Sequence, residues 1–219
     1  MALPAITDYD SLLENAADYI ARNDLDPYFQ TFVQLTEKRL NSALKVPGME
    51  AIATVNLDGT SLAGTIPVDY VEWISVVWHA ASNGPSQRLR YVEPNSPEFT
   101  YRHRPNGNPQ YYTVLAGAVR LAPSRAGSVE VAYYKTIPGL TPDNQTNWLI
   151  QKAPQLYLYG VLAEAYSFQK DEQNSNAWLQ RSDERLMKFI NESNSGKVGR
   201  RAERKAEEEA EVVAAKALN

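Results

Sequence analysis

The chain has 219 residues, 43% hydrophobic and 22% charged, with 22 Lys plus Arg against 26 Asp plus Glu for a net charge of −4. A fold of this size buries about 70% of the surface that its unfolded chain exposes, enough for one large domain or one domain carrying an insertion, and its acidity excludes general affinity for nucleic acid or anionic membrane. The absence of cysteine excludes disulfides, thiolate catalysis, zinc ribbons and iron–sulfur clusters, and the presence of only two histidines excludes a His-rich metal site.

In chain order, the first predicted element is an amphipathic helix over Asp8 to Arg22. Tyr9, Leu12, Leu13, Ala16, Tyr19 and Ile20 recur there at three- and four-residue steps, behind an approximate capping box of Thr7 and Asp10. Asp26-Pro27 starts a second helix, whose face Phe29, Phe32, Val33, Thr36, Leu40, Ala43 and Leu44 runs until Pro47-Gly48 stops it. The short Asn23 to Leu25 link makes the two a helical hairpin. From Met49 the period changes to that of strands. AIATVNL leads to Asp58-Gly59, a tight-turn dipeptide, and further runs follow at Tyr70–Trp78, Arg88–Val92, Tyr111–Leu115, Val119–Leu121 and Val129–Tyr134. Turn signals at Asn83-Gly84-Pro85, Asn106-Gly107-Asn108-Pro109 and Ala116-Gly117 separate them, at spacings that suit antiparallel strands and leave no room for crossover helices. After Pro138-Gly139 the helical pattern returns. Gln151 to Gln169 is apolar nearly all round and is expected at the centre of the core, and Gln173 to Asn194 is expected beside it.

Ser193 to Gly199 reads as a hinge, and the last twenty residues differ in composition from the rest. Arg200, Arg201, Arg204 and Lys205 precede a run of glutamates, helix propensity is high, and Val212, Val213 and Leu218 close the chain with a small apolar surface. The expected class is α+β: a helical bundle with an inserted antiparallel sheet or small sandwich and a C-terminal helical arm. Its body covers 1–195, with helices over 8–45 and 145–194 and the β insertion over 49–136, and the flexible arm covers 196–219. No basic leader followed by an apolar run opens the chain, and no stretch approaches a membrane span, so it is expected to be made in the cytoplasm without a membrane partner.

Candidate chemistry is sparse. His79 and His103 each suit a surface or capping role as well as a catalytic one, and Asp69 with Glu72 forms the one plausible carboxylate pair. No glycine-rich phosphate loop, HExxH or calcium-loop pattern occurs, so catalytic residues, cofactor and metal are all expected to be absent. Arg102-His103-Arg104 and the arm are the only basic clusters, and each is diluted by acids or prolines. Thirteen tyrosines and four tryptophans, including Tyr111-Tyr112 and Tyr133-Tyr134, exceed what one core needs and point to interfaces. A carbohydrate-recognition module using exposed aromatics and a hydrolase using Asp69 and Glu72 are the competing readings. Binding of a sugar panel marks the first, and turnover lost on Asp69→Asn or Glu72→Gln marks the second.

The segment YYKTIPGLTPDNQTNWLIQKAPQLYLYGVLAEAYSF resembles the signature of tailed-phage head-to-tail adaptor proteins. The resemblance rests on Tyr133, Tyr134, Ile137, Pro138, Asn147, Trp148, Leu149, Pro154, Tyr157, Leu158 and Tyr159, supported by Phe32, Glu37 and Leu40 and by the Pro67-Val68-Asp69-Tyr70 strand entry. It covers most of Asp8 to Ile190 and leaves the tail after Ser195 unmatched. The resemblance implies a structural virion protein at the head–tail interface, one of a dodecameric ring of identical subunits docked on the portal. It further implies contacts with tail proteins, nozzle or fibre, and a lumen through which genomic DNA passes without sequence-specific binding.

Overall fold

The computed structural model describes residues 5–22, 24–57, 63–80, 84–100 and 107–217, the side chains of 100 and 196–217 excepted. Its elements in chain order are α1 (Tyr9–Ile20), α2 (Phe29–Ala43), β1 (Glu50–Leu57), β2 (Ala63–Thr65), β3 (Tyr70–His79), β4 (Ser86–Arg88), β5 (Arg90–Tyr91), α3 (Pro97–Thr100), β6 (Tyr111–Leu115), β7 (Ala118–Ala122), β8 (Gly127–Lys135), α4 (Trp148–Lys152), α5 (Pro154–Phe168) and α6 (Glu172–Ala217). The mixture of helices with two sheets is the α+β class. The chain divides into a helical unit, Met1–Gly48 with Ile137–Asn219, and a sheet unit, Met49–Thr136.

In the helical unit α1 starts one residue away from the expected cap. Asp8, not Thr7, is the N-cap: its carboxylate accepts from Ser11 N at 2.9 Å while the Ser11 hydroxyl accepts from Asp8 N at 3.1 Å. A carboxylate is the stronger acceptor for the amides at a helix start, so the aspartate displaces the threonine hydroxyl, which instead donates to Asp8. Pro27 lies in a short 3-10 turn, Asp26–Tyr28, that feeds α2, and α2 buries Phe29, Phe32, Val33, Thr36, Glu37 and Leu40. The expected single helix from Gln151 is two helices, because Pro154 lacks the amide that would continue α4 and so begins α5. α5 buries Leu156, Tyr157, Leu158, Val161, Leu162, Ala163 and Ala165, residues on every side, and is the central element. Gly160 lets α2 approach it: a β-carbon there would lie 2.3 Å from the Thr36 side chain. α6 also departs from expectation. The break expected at Ser193 to Gly199 does not interrupt it, and the helix continues to Ala217, since the run of Arg, Ala, Glu and Lys after Gly199 has high helix propensity and offsets the roughly 1 kcal/mol that each glycine costs.

The sheet unit holds two four-stranded sheets, ordered β1-β8-β3-β4 and β2-β7-β6-β5. β1 and β8 pair antiparallel through eight residue pairs, Glu50 with Tyr134 to Leu57 with Gly127. The Asp58-Gly59 turn lies outside the described residues, and the strands flanking it enter different sheets rather than one hairpin. The expected strand Arg88–Val92 is likewise divided. β4 pairs with β3, β5 pairs parallel with β6, and between them buried Leu89 donates its amide to Val76 O at 2.8 Å. Ala116-Gly117 forms the two-residue β6–β7 turn, with φ of 51° and 70°. Val55, Leu57, Val76, Trp78, Val119, Leu121, Val129, Val131 and Tyr133 form this unit's core.

Candidate functional site

The residues that carry the signature segment fall in both units. Pro138, Asn147, Trp148, Pro154, Tyr157 and Tyr159 lie in the helical unit, where a loop with no regular structure runs from the end of β8 to α4. Buried polar side chains fix that loop. Asn147 caps α4 with its side-chain oxygen, accepting from Leu149 N at 3.0 Å and Ile150 N at 2.9 Å. Its amide nitrogen donates to Pro138 O and to the Tyr157 hydroxyl, both at 2.7 Å. The Tyr157 hydroxyl donates onward to Glu37 Oε1 at 3.3 Å, and the same oxygen accepts from Leu140 N at 2.7 Å. Asn41, one turn further along α2, accepts from Ile137 N at 2.7 Å. Burial is the main influence on both acids of this network: it raises the Glu37 carboxyl above its ordinary 4.5, against the lowering effect of Leu140 N–H and Tyr157, and it raises the Tyr157 phenol, helped by the nearby Glu37 charge.

The remaining signature residues pack. Trp148 stacks on Phe189 of α6, with ring centres 6.4 Å apart, and packs closely on Gly48, where a β-carbon would lie 3.0 Å from the indole and would require the ring to shift. Pro154 opens α5. Tyr159 meets Trp178 at 5.5 Å, and that indole also takes the edge of Tyr19 at 5.7 Å and the Arg181 guanidinium at 4.6 Å. Tyr28 and Phe168 lie against each other at 4.8 Å with about half of each exposed (45% and 51%). The helical unit therefore presents aromatic surface to solvent, the material of an interface. In the sheet unit Tyr133 points into the core and donates to Asp69 at 2.9 Å, and Tyr134 lies on the opposite face of β8 beside Glu72 of β3.

The structure does not bring Asp69 and Glu72 together as a working pair, for Asp69 is held by Tyr133 and Glu72 stands exposed on the other face. His79 shares a 2.8 Å hydrogen bond with the Ser86 hydroxyl on the neighbouring strand. His103, with Arg102 and Arg104, lies outside the described residues, as does Leu218. Arg200, Arg201, Arg204, Val212 and Val213 stand on the α6 backbone after its last buried residue, Phe189, among those whose side chains are described. Among the described residues no group of three or more His, Asp or Glu is placed to hold a metal, and no helix is long and apolar enough to cross a membrane.

Glu37 and Asn41 are the network members that apolar periodicity misses. Their partners are 96 to 120 residues away in sequence, and Glu37 stands out only as part of the resemblance, on an otherwise apolar face of α2. Compared with known families, residues 7–204 match the family model described as SU10 adaptor protein. No curated protein matches the chain.

Proposed function

Because the chain belongs to the SU10 adaptor protein family, we propose that it serves in a tailed-phage virion as one subunit of a twelve-fold head-to-tail ring, docked on the portal above and receiving tail proteins below. The observation that carries this reading is the family match over 7–204, which takes in both units and the start of the arm, Arg200, Arg201 and Arg204 included. The role asks for no catalysis. It asks for a rigid body, apolar surface for its partners and a lumen that does not hold DNA, and a subunit of net charge −4 offers phosphates few places to bind. The exposed aromatic rings of Tyr19, Tyr28 and Phe168 supply area for contacts at low entropy cost. Sparse subunit contacts would keep the chain monomeric until the portal gathers the copies.

The arm is the docking element in this reading. Arg200, Arg201 and Arg204 would pair with acidic surface of the portal or of a neighbouring subunit, while Val212, Val213 and Leu218 would bury against it. Fixing the arm against a partner costs free energy that those contacts must exceed. Truncation after Ser195 removes only residues that follow Phe189, the last buried side chain described for α6, so the melting temperature of the subunit should stay within about 2 °C. Attachment to the portal, followed by negative-stain microscopy and mass photometry of chain with portal, should fall severely. Twelve-fold rings from the truncated chain would exclude the arm as the anchor, and portal decorated with irregular numbers of full-length chain would exclude the ring.

A further inference from the structure

The two sheets have four edges, and three are short: β2 and β4 have three residues each and β5 has two. The fourth is β1, eight residues long, whose residues 51–57 pair as a strand, among the described residues, with β8 alone and without a bulge. β1 contains neither Pro nor Lys and carries no charge after its first residue, Glu50. Ile52, on its outward face, is 71% exposed, and Thr54 and Asn56 on the same face are exposed too. An unprotected edge of this length is a template for another strand.

We infer that β1 of one subunit pairs with β4 of the next, so that the β1-β8-β3-β4 sheet runs on from copy to copy. This rests on the ring reading above and names one of its subunit contacts. A closed ring of more than two copies joins two unlike patches of the same chain, and the two ends of one sheet are such patches. Their polarity also agrees. β1 is antiparallel to β8, β8 to β3 and β3 to β4, so β1 and β4 run in opposite directions and a copy displaced sideways offers an antiparallel partner. A β1–β1 pairing would instead close a two-fold dimer and end the assembly. With only Ser86, Gln87 and Arg88 in β4, the seam holds few hydrogen bonds, which suits subunits that associate on a template and stay apart without one.

The cysteine-free sequence makes the seam directly testable by oxidation. Ile52, Thr54 and Asn56 follow one another at every second residue on the outward face of β1, covering about 14 Å, and Arg88 is exposed on the same face at the other end of the sheet. Three double variants, each carrying Arg88→Cys with Ile52→Cys, Thr54→Cys or Asn56→Cys, are assembled on portal and oxidised. At least one should give a ladder of disulfide-linked multimers rising toward the full ring, and the single Thr54→Cys chain should not give dimers. Ile52→Lys should abolish ring formation with no change in melting temperature. Rings of normal appearance with no ladder from any of the three variants would overturn the seam alone. Covalent dimers from Thr54→Cys would overturn it in favour of the two-fold pairing. Failure of the unaltered chain to form rings on portal would overturn the ring reading and the seam with it.

Discussion

Asn147 uses both hydrogens of its amide and accepts twice at its oxygen, so a single side chain caps α4, holds Pro138 and orients Tyr157. Such a residue has no conservative substitute. Asn147→Asp keeps the cap, loses both amide donors and turns a second carboxylate toward the buried Glu37 system. It should lower the melting temperature by about 5 °C or more, against roughly 2–4 °C per kcal/mol for a chain of this size. Glu37 makes a prediction in pH. Its folded carboxyl titrates above its unfolded value, so the folded state holds the extra proton between the two. The stability linked to this proton is complete below about 4.5 and is lost as pH rises through the folded value. Glu37→Gln keeps an oxygen for Leu140 N–H and Tyr157 and has no charge to bury. Thermal melts across pH 4 to 8 should therefore show a decline with rising pH in the native chain that is smaller in the variant. Thr36 has a buried hydroxyl with no hydrogen-bond partner, so Thr36→Val should raise stability by about 1 kcal/mol in a denaturant titration.

The elements themselves were largely legible, and what escaped was pairing. The apolar period of α1 and α2, the crowded faces of α5 and the Val- and Tyr-rich runs of β3, β6 and β8 all carry their own signal within a dozen residues. That β1 pairs with β8, some seventy residues on, rather than with its neighbour in sequence is decided by tertiary packing, which no turn dipeptide encodes. The network behind the signature is of the same kind: Asn147 announces a cap, but nothing near it in sequence announces Glu37. Helix contact is equally invisible locally. Gly160 reads as a weak point in a helix until α2 is found against it, and Gly160→Ala should then cost about 1–3 kcal/mol through collision with Thr36 rather than gain helix propensity. At the β6–β7 turn the sign reverses. Ala116 holds a left-handed φ of 51° that Asn adopts more readily, so Ala116→Asn should raise the melting temperature by about 1–4 °C.

For the molecule as a whole, composition set the boundaries early, because a cysteine-free, mildly acidic chain with two histidines leaves few kinds of chemistry available. With no cysteine and two isolated histidines in the sequence, chelator should leave the melting temperature unchanged. A drop reversed by one divalent cation would reveal a site. The division of the chain has a further consequence, in time rather than in space. The sheet unit is one uninterrupted stretch, whereas the helical unit is assembled from the first 48 residues and those from Ile137 onward. During synthesis at about 5–20 residues per second, α1 and α2 leave the ribosome with Leu12, Phe32, Val33 and Leu40 uncovered. They wait for α5, the helix that buries this face, until the whole of the inserted sheet has been made. The two nascent helices are thus natural clients for chaperones of the host.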